Sequence, residues 1–177
     1  SFLNPLRILR LYNLFGQSIL GNLNTQALNS MPKNRSEFLS AARKLTNKSK
    51  NQYGWVLPLS LQSPNGAQND VMSWVWASGK SMLKDGKPNL TNKDVISALK
   101  FIEVMYKEKL ISPGSFAKKE QEKLEEFVNG RVGMTVSSLA HINMIRDRNP
   151  SLNFTITDFP AADGYKGRRG LPYAAWG

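Results

Sequence analysis

From residue 32 onward the chain repeats one alternation: apolar residues at helical spacing, a polar or glycine break, then a short run of branched and aromatic residues. In NRSEFLSAARKLTN, Phe38, Leu39, Ala42 and Leu45 share one face, Asn34 stands at the N-cap and Glu37 completes a capping-box pattern, which predicts a helix. YGWVLPL at 53–59 predicts a strand that Pro58 places at an edge or an end, and SLQSPNGAQ is loop chemistry. NDVMSWVWASGKSML predicts a short apolar helix capped by Asn69 and closed at Gly79. The clearest helical signal is TNKDVISALKFIEVMYKEKL. There Thr91 and Asp94 pair as a capping box, Val95, Leu99, Ile102, Tyr106 and Leu110 recur at helical spacing, and Lys107 and Lys109 suit the last turn.

After the break SPGSF, AKKEQEKLEEFVNG predicts a second amphipathic helix ending on Gly130. RVGMTVS follows as a strand, SLAHINMIRDRNP as a helix stopped by Pro150, and LNFTITDFP as an alternating strand. AADGYKGRRG is a Gly-rich loop and LPYAAWG a last extended segment. Residues 1–30 read ambiguously between strand and helix, with a strand-like start at GQSIL. Helices alternating with short strands predict an α/β fold, with helices packed on a mixed sheet.

Composition removes several classes of chemistry. The chain has no cysteine and one histidine, which excludes disulfides, thiolate zinc sites, cysteine nucleophiles and multi-histidine metal sites. No clustered Asp/Glu motif offers an oxygen cage, so neither metal nor cofactor is expected. No run of about 18 apolar residues predicts a membrane span, and SFLNPLRILRLYNLF lacks the uninterrupted apolar stretch and cleavage site of a signal peptide. The net charge of +11 invites a nucleic-acid reading, but the basic residues are scattered, and KKEQEKLEE at 118–126 has the makeup of a solvated helix face. Only YKGRRG at 165–170 is a tight basic cluster, and a nucleic-acid module built on that loop is the alternative reading.

No enzymatic constellation emerges. His141 has no G-x-S-x-G elbow to serve, and SGKS at 78–81 imitates a phosphate loop whose required earlier glycine is Trp74. The aromatics carry more information. Trp55, Trp74, Trp76 and Trp176, with Tyr53 and Tyr173, gather at strand ends and on one short helix. Their flat apolar faces and hydrogen-bonding edges suit pyranose rings, while packing in the core is the competing use.

EFVNGRVGMTVSS resembles the signature segment of extracellular solute-binding proteins of ABC importers, the family that includes maltose-binding protein. Its pattern F-x-x-G-x-x-A/G-M is matched by Phe127, Gly130, Gly133 and Met134. LNTQALNSMPKNRSEFLSAARKLT, YGWVLPL, WVWASGKSML, VISALKFIEVMYKEKLISP and FTITDFPAADGYKGRRGLPYAAWG resemble further family segments in the right order, over about residues 18–177. The resemblance implies a periplasmic-binding-protein-like lobe, with residues 1–30 as a crossing strand or hinge remnant and 31–177 as the second lobe of a two-lobe fold. It implies capture without chemistry: a mono- or oligosaccharide closed between two lobes and delivered to an ABC permease, outside the cytoplasm. The missing first lobe is the implied partner, nucleic acid is not, and an inactive truncated lobe is a further alternative.

The residues expected to meet ligand are Trp74, Trp76, Ser137, Ser138, His141, Tyr173 and Trp176, with Asn69 and Asp70 behind them. Ser137-Ser138 would emerge where the strand reaches the cleft, and Asp70 could accept paired hydroxyls in charge-assisted bonds. One departure stands out: where the family commonly stacks a Trp on the sugar, this chain has Ala140 beside His141. Arg131, Arg168 and Arg169 raise the option of an acidic sugar, since guanidinium forks suit carboxylate and phosphate.

Overall fold

The computed structural model describes residues 17–22, 30–138 and 140–167. A four-stranded mixed sheet organises them, in the order β2-β5-β1-β6. The strands are β1 (Gln17–Asn22), β2 (Tyr53–Trp55), β5 (Val132–Ser138) and β6 (Phe154–Thr157). β2 and β5 run parallel, with Trp55 opposite Met134, while β1 lies antiparallel to both β5 and β6. β1 thus occupies an inner position of the same sheet, so residues 1–30 include a central structural strand. An isolated hairpin, β3 (Leu83–Lys84) with β4 (Lys87–Pro88), stands apart.

The helices are α1 (Arg35–Leu45), the short α2 (Ser73–Trp76), α3 (Lys93–Lys107), α4 (Glu120–Val128) and α5 (His141–Arg148). They form two cores. One gathers α1, α2 and α3 around Phe38, Trp55, Trp74, Met105 and Met134; the other joins Leu124, Phe127 and Val128 of α4 to Ile145 of α5. Successive residues of the β2 segment alternate between them: Trp55 and Leu57 enter the first core and Val56 the second, the two-residue period of extended chain buried on both faces.

Several predicted devices are in place. Asn34 caps α1, its Oδ1 accepting from the Glu37 amide at 2.8 Å, and Glu37 Oε2 accepts from the Lys33 amide at 2.8 Å. Gly130 closes α4 at φ +70°, the left-handed conformation that glycine adopts without a Cβ clash. Gly54 answers to crowding: a Cβ there would lie 2.4 Å from the Ala42 Cα, because α1 packs directly on the β2 backbone.

The structure also corrects the sequence reading. The cap of α3 is Asn92, which accepts from the Asp94 and Val95 amides, so the helix begins one residue later than a Thr91 cap requires. Its buried stripe is Val95, Ala98, Ile102 and Met105, whereas Leu99 is 47% and Tyr106 57% exposed. Apolar residues populate more than one face of α3, so periodicity alone did not select the face the core would take. The regular part of the 53–59 strand is only Tyr53–Trp55. Asn69 is not a cap; a π-helical turn over Ala67–Met72 already includes it and runs into α2.

Candidate functional site

β5 is the strand that carries Ser137 and Ser138 to its C-terminal end, where the chain turns into α5. Ser137 is buried, and its hydroxyl lies 2.8 Å from His141 Nδ1 on the first turn of α5. Ser138 is half-buried, and its Oγ accepts from the Ala140 amide at 3.3 Å. Burial pushes the pKa of His141 down, with Glu120 opposing and Lys123 reinforcing the shift. A neutral ring results, able to accept the Ser137 proton at Nδ1 and keep its own on Nε2.

Glu120 and Lys123 belong to α4, which the sequence reading treated as a solvated charged face. Two of its neighbouring lysines are in fact buried. Lys123 is 1% exposed and meets Asp70 Oδ2 at 2.9 Å and Glu120 Oε1 at 2.6 Å. Lys118, just before α4, is also buried, with its ammonium 2.8 Å from Glu126. Lys123 sits next to Leu124 and four residues before Phe127, so it falls on the apolar stripe of the helix; that position was the available signal. A lysine there reaches the interior only with a carboxylate to receive it, and Asp70 of the π-helical turn supplies one.

Asp70 itself has no exposed surface, and its Oδ1 has no hydrogen-bond partner. Burial raises its pKa to about 7; Lys123 pulls it down by charge and hydrogen bond, and Glu120 pushes it up. The cluster Asp70–Lys123–Glu120, extended electrostatically to His141 and by hydrogen bond to Ser137, ties the 67–72 turn and α4 to the end of β5. Three of the residues singled out from sequence therefore converge, joined by two that were not foreseen.

The remaining candidates divide by exposure. Asn69 and Trp76 are half-buried, like Ser138 and His141. Trp74 has no exposed face: its ring lies 4.6–4.9 Å from those of Phe159, Phe101 and Phe38, and 5.7 Å from that of Trp55. Tyr173, Trp176, Arg168 and Arg169 lie outside the described residues. Arg131 precedes β5, at the end of the strand opposite Ser138, where it pairs with Glu126 and stands over the Tyr53 ring. No group of three or more His, Cys, Asp or Glu able to hold a metal occurs among the described residues, and no described helix is long and apolar enough to cross a membrane.

The chain matches the family described as bacterial extracellular solute-binding protein over residues 14–176. A binding protein of Brucella abortus (strain 2308) is 28% identical over 144 residues, covering 78% of this chain and 33% of the relative. A binding protein of Brucella suis biovar 1 (strain 1330) matches equally. This chain thus spans about a third of the length of the curated relatives it matches.

Solved structures agree on the fold. An ABC transporter solute-binding protein from Agrobacterium radiobacter K84, in complex with ribitol, superposes with a TM-score of 0.68 at 24% identity, over 91% of this chain and 42% of that one. One from Thermotoga lettingae TMO, bound with α-D-tagatose, gives 0.69 at 22% identity, over 89% and 42%. One from Agrobacterium vitis S4, with bound D-mannitol, gives 0.68 at 19% identity, over 85% and 38%. The α/β architecture is accordingly that of a periplasmic-binding-protein fold, covered in part.

Proposed function

This chain belongs to the bacterial extracellular solute-binding protein family, and we propose that it forms one lobe of a carbohydrate-binding component of an ABC importer. The observation that carries this reading is the family match over residues 14–176. The lobe holds a small polyhydroxylated ligand against a second lobe, without covalent chemistry, and the closed form is presented to a membrane permease outside the cytoplasm. The ribitol, α-D-tagatose and D-mannitol of three related structures support a sugar or sugar alcohol as the ligand.

Within the lobe, the half-buried residues are the contact surface: Trp76 as an apolar platform, with Asn69, Ser138 and His141 as hydrogen-bonding rim. Trp74, Asp70 and Ser137 act from behind, fixing those groups in place, and Tyr173 and Trp176 complete the aromatic set proposed from sequence. An amide-resolved NMR titration of the chain with ribitol, tagatose and mannitol at millimolar concentration tests the reading. Saturable shifts centred on Asn69, Trp76 and Ser138, reduced in Trp76→Ala, are expected. Shifts that centre instead on residues 165–167 and respond to an oligonucleotide would move the protein to the nucleic-acid alternative.

A further inference from the structure

A cavity of about 740 Å³ opens on the outer flank of β2, and none of the residues assigned above to the ligand surface lines it. Its walls are aromatic, from Tyr53, Tyr106 and Phe116, and its rim carries Lys48 and Lys109. Lys107 stands on the same rim, already paired with Glu103 at 2.6 Å. Among the described residues, no aspartate or glutamate lines the cavity. Its size falls within the range of small-molecule sites. We infer that this cavity is a second binding site, for a small aromatic carboxylate, with the ring held among the three aromatics and the anion between Lys109, Lys48 and the Ser115 hydroxyl.

Three independent features support a built site rather than a surface fold. First, Ser115 lines the cavity and is only 3% exposed, yet its Oγ has no hydrogen-bond partner. A buried hydroxyl left unpaired costs stability, and a turn of its side chain toward the cavity would let an incoming carboxylate satisfy it. Second, the wall formed by residues 111–117 is fixed from behind. The buried Lys118 ammonium donates to Ser112 Oγ at 2.7 Å and to the Pro113 carbonyl at 3.0 Å, and pairs with Glu126 at 2.8 Å. Third, Lys109 holds φ +58° just past α3, where the Leu110 amide bonds the Met105 carbonyl in a Schellman-type closure. Glycine suits that position far better than lysine, so the strained residue places an ammonium on the cavity rim at a local cost.

Lys109→Gly separates binding from folding, because it removes the cation while relaxing the backbone. The probe is 4-hydroxyphenylacetate, with neutral 4-hydroxyphenylacetamide as control, followed by amide-resolved NMR on the whole chain. Saturable shifts confined to Tyr53, Tyr106, Lys109 and residues 112–117 are expected with the acid and not the amide. Lys109→Gly should raise Tm and weaken acid binding about tenfold, the equivalent of one charge-assisted hydrogen bond. Phe116→Ala, at a side chain 72% exposed, should weaken both the acid and any residual amide response without loss of Tm. Equal response to acid and amide, no saturable shift from a folded chain, or unchanged affinity in Lys109→Gly would each overturn the inference. None of these outcomes depends on whether the chain binds sugars.

Discussion

Replacing Lys123 with methionine should be the most damaging single charge removal among the described residues. The substitution keeps an unbranched chain of similar length on the apolar stripe of α4, so little packing volume changes. What it removes is the ammonium 2.9 Å from Asp70, leaving a carboxylate with no exposed surface and with Oδ1 already unpartnered. Breaking one side of a buried pair in this way costs roughly 3–5 kcal/mol, most of it the penalty of the stranded charge. For a domain of this size that lowers Tm by about 2–4 °C per kcal/mol, on the order of 10 °C in total. Urea unfolding at pH 8, followed by tryptophan fluorescence, reads it as a shift in midpoint at constant m. The double variant Lys123→Met with Asp70→Leu removes the fully buried carboxylate too, leaves only the part-exposed Glu120 without its lysine, and should recover most of the loss, because an apolar pair of similar volume replaces a buried ion pair at little net cost. The reasoning fails if the single variant costs under about 1 kcal/mol at pH 8, or if the double variant is as unstable as the single one.

The raised pKa of Asp70 has its own signature. Because the folded state holds this proton more tightly than the unfolded chain, whose value is 3.8, wild type loses stability relative to Asp70→Asn as pH rises toward and through about 7. Paired denaturation curves at pH 5 and pH 8 check it, and a difference independent of pH would remove the proton from the account. Trp74→Ala should cost about 3–5 kcal/mol by urea unfolding, since the ring fills a core with Phe38, Phe101 and Phe159 around it, whereas half-buried Trp76→Ala should cost distinctly less. Gly54→Ala should cost about 1–3 kcal/mol or more, because its methyl would meet α1 backbone that cannot yield cheaply, and an unshifted midpoint would refute that contact.

What the sequence made legible was local and polar at chain breaks. Asn34 with Glu37, and Gly130 after Phe127, depend on interactions within a few residues, and the structure places each as the spacing implied. Strand order is a different kind of information. Nothing in GQSIL specifies that β1 lies between β5 and β6, because pairing partners more than a hundred residues away decide it. The α3 face was misjudged for the same reason: Leu99 and Ala98 are both acceptable on a core stripe, and only the facing core chose the smaller residue.

The candidate site shows the limit most clearly. Asp70, Ser137 and His141 were legible as chemistry, while Lys123 was hidden by its neighbours in KKEQEKLEE, where a charge run looks like surface. A buried lysine is specified by two distant facts at once, a place on an apolar stripe and a carboxylate delivered there by another element. That double requirement is also why the pair is informative about function. An ion pair adds little to a core that apolar side chains could fill, so its contribution lies in orientation: Lys123 has Glu120 on its own helix, but Asp70 meets the Lys123 ammonium only if the 67–72 turn is held against α4. The same turn carries Asn69, and the electrostatic reach of the pair extends to His141 at the start of α5. Substituting the pair with apolar residues should therefore leave the fold intact and loosen the geometry that Asn69, Ser138 and His141 present to a ligand, lowering affinity where stability is unchanged.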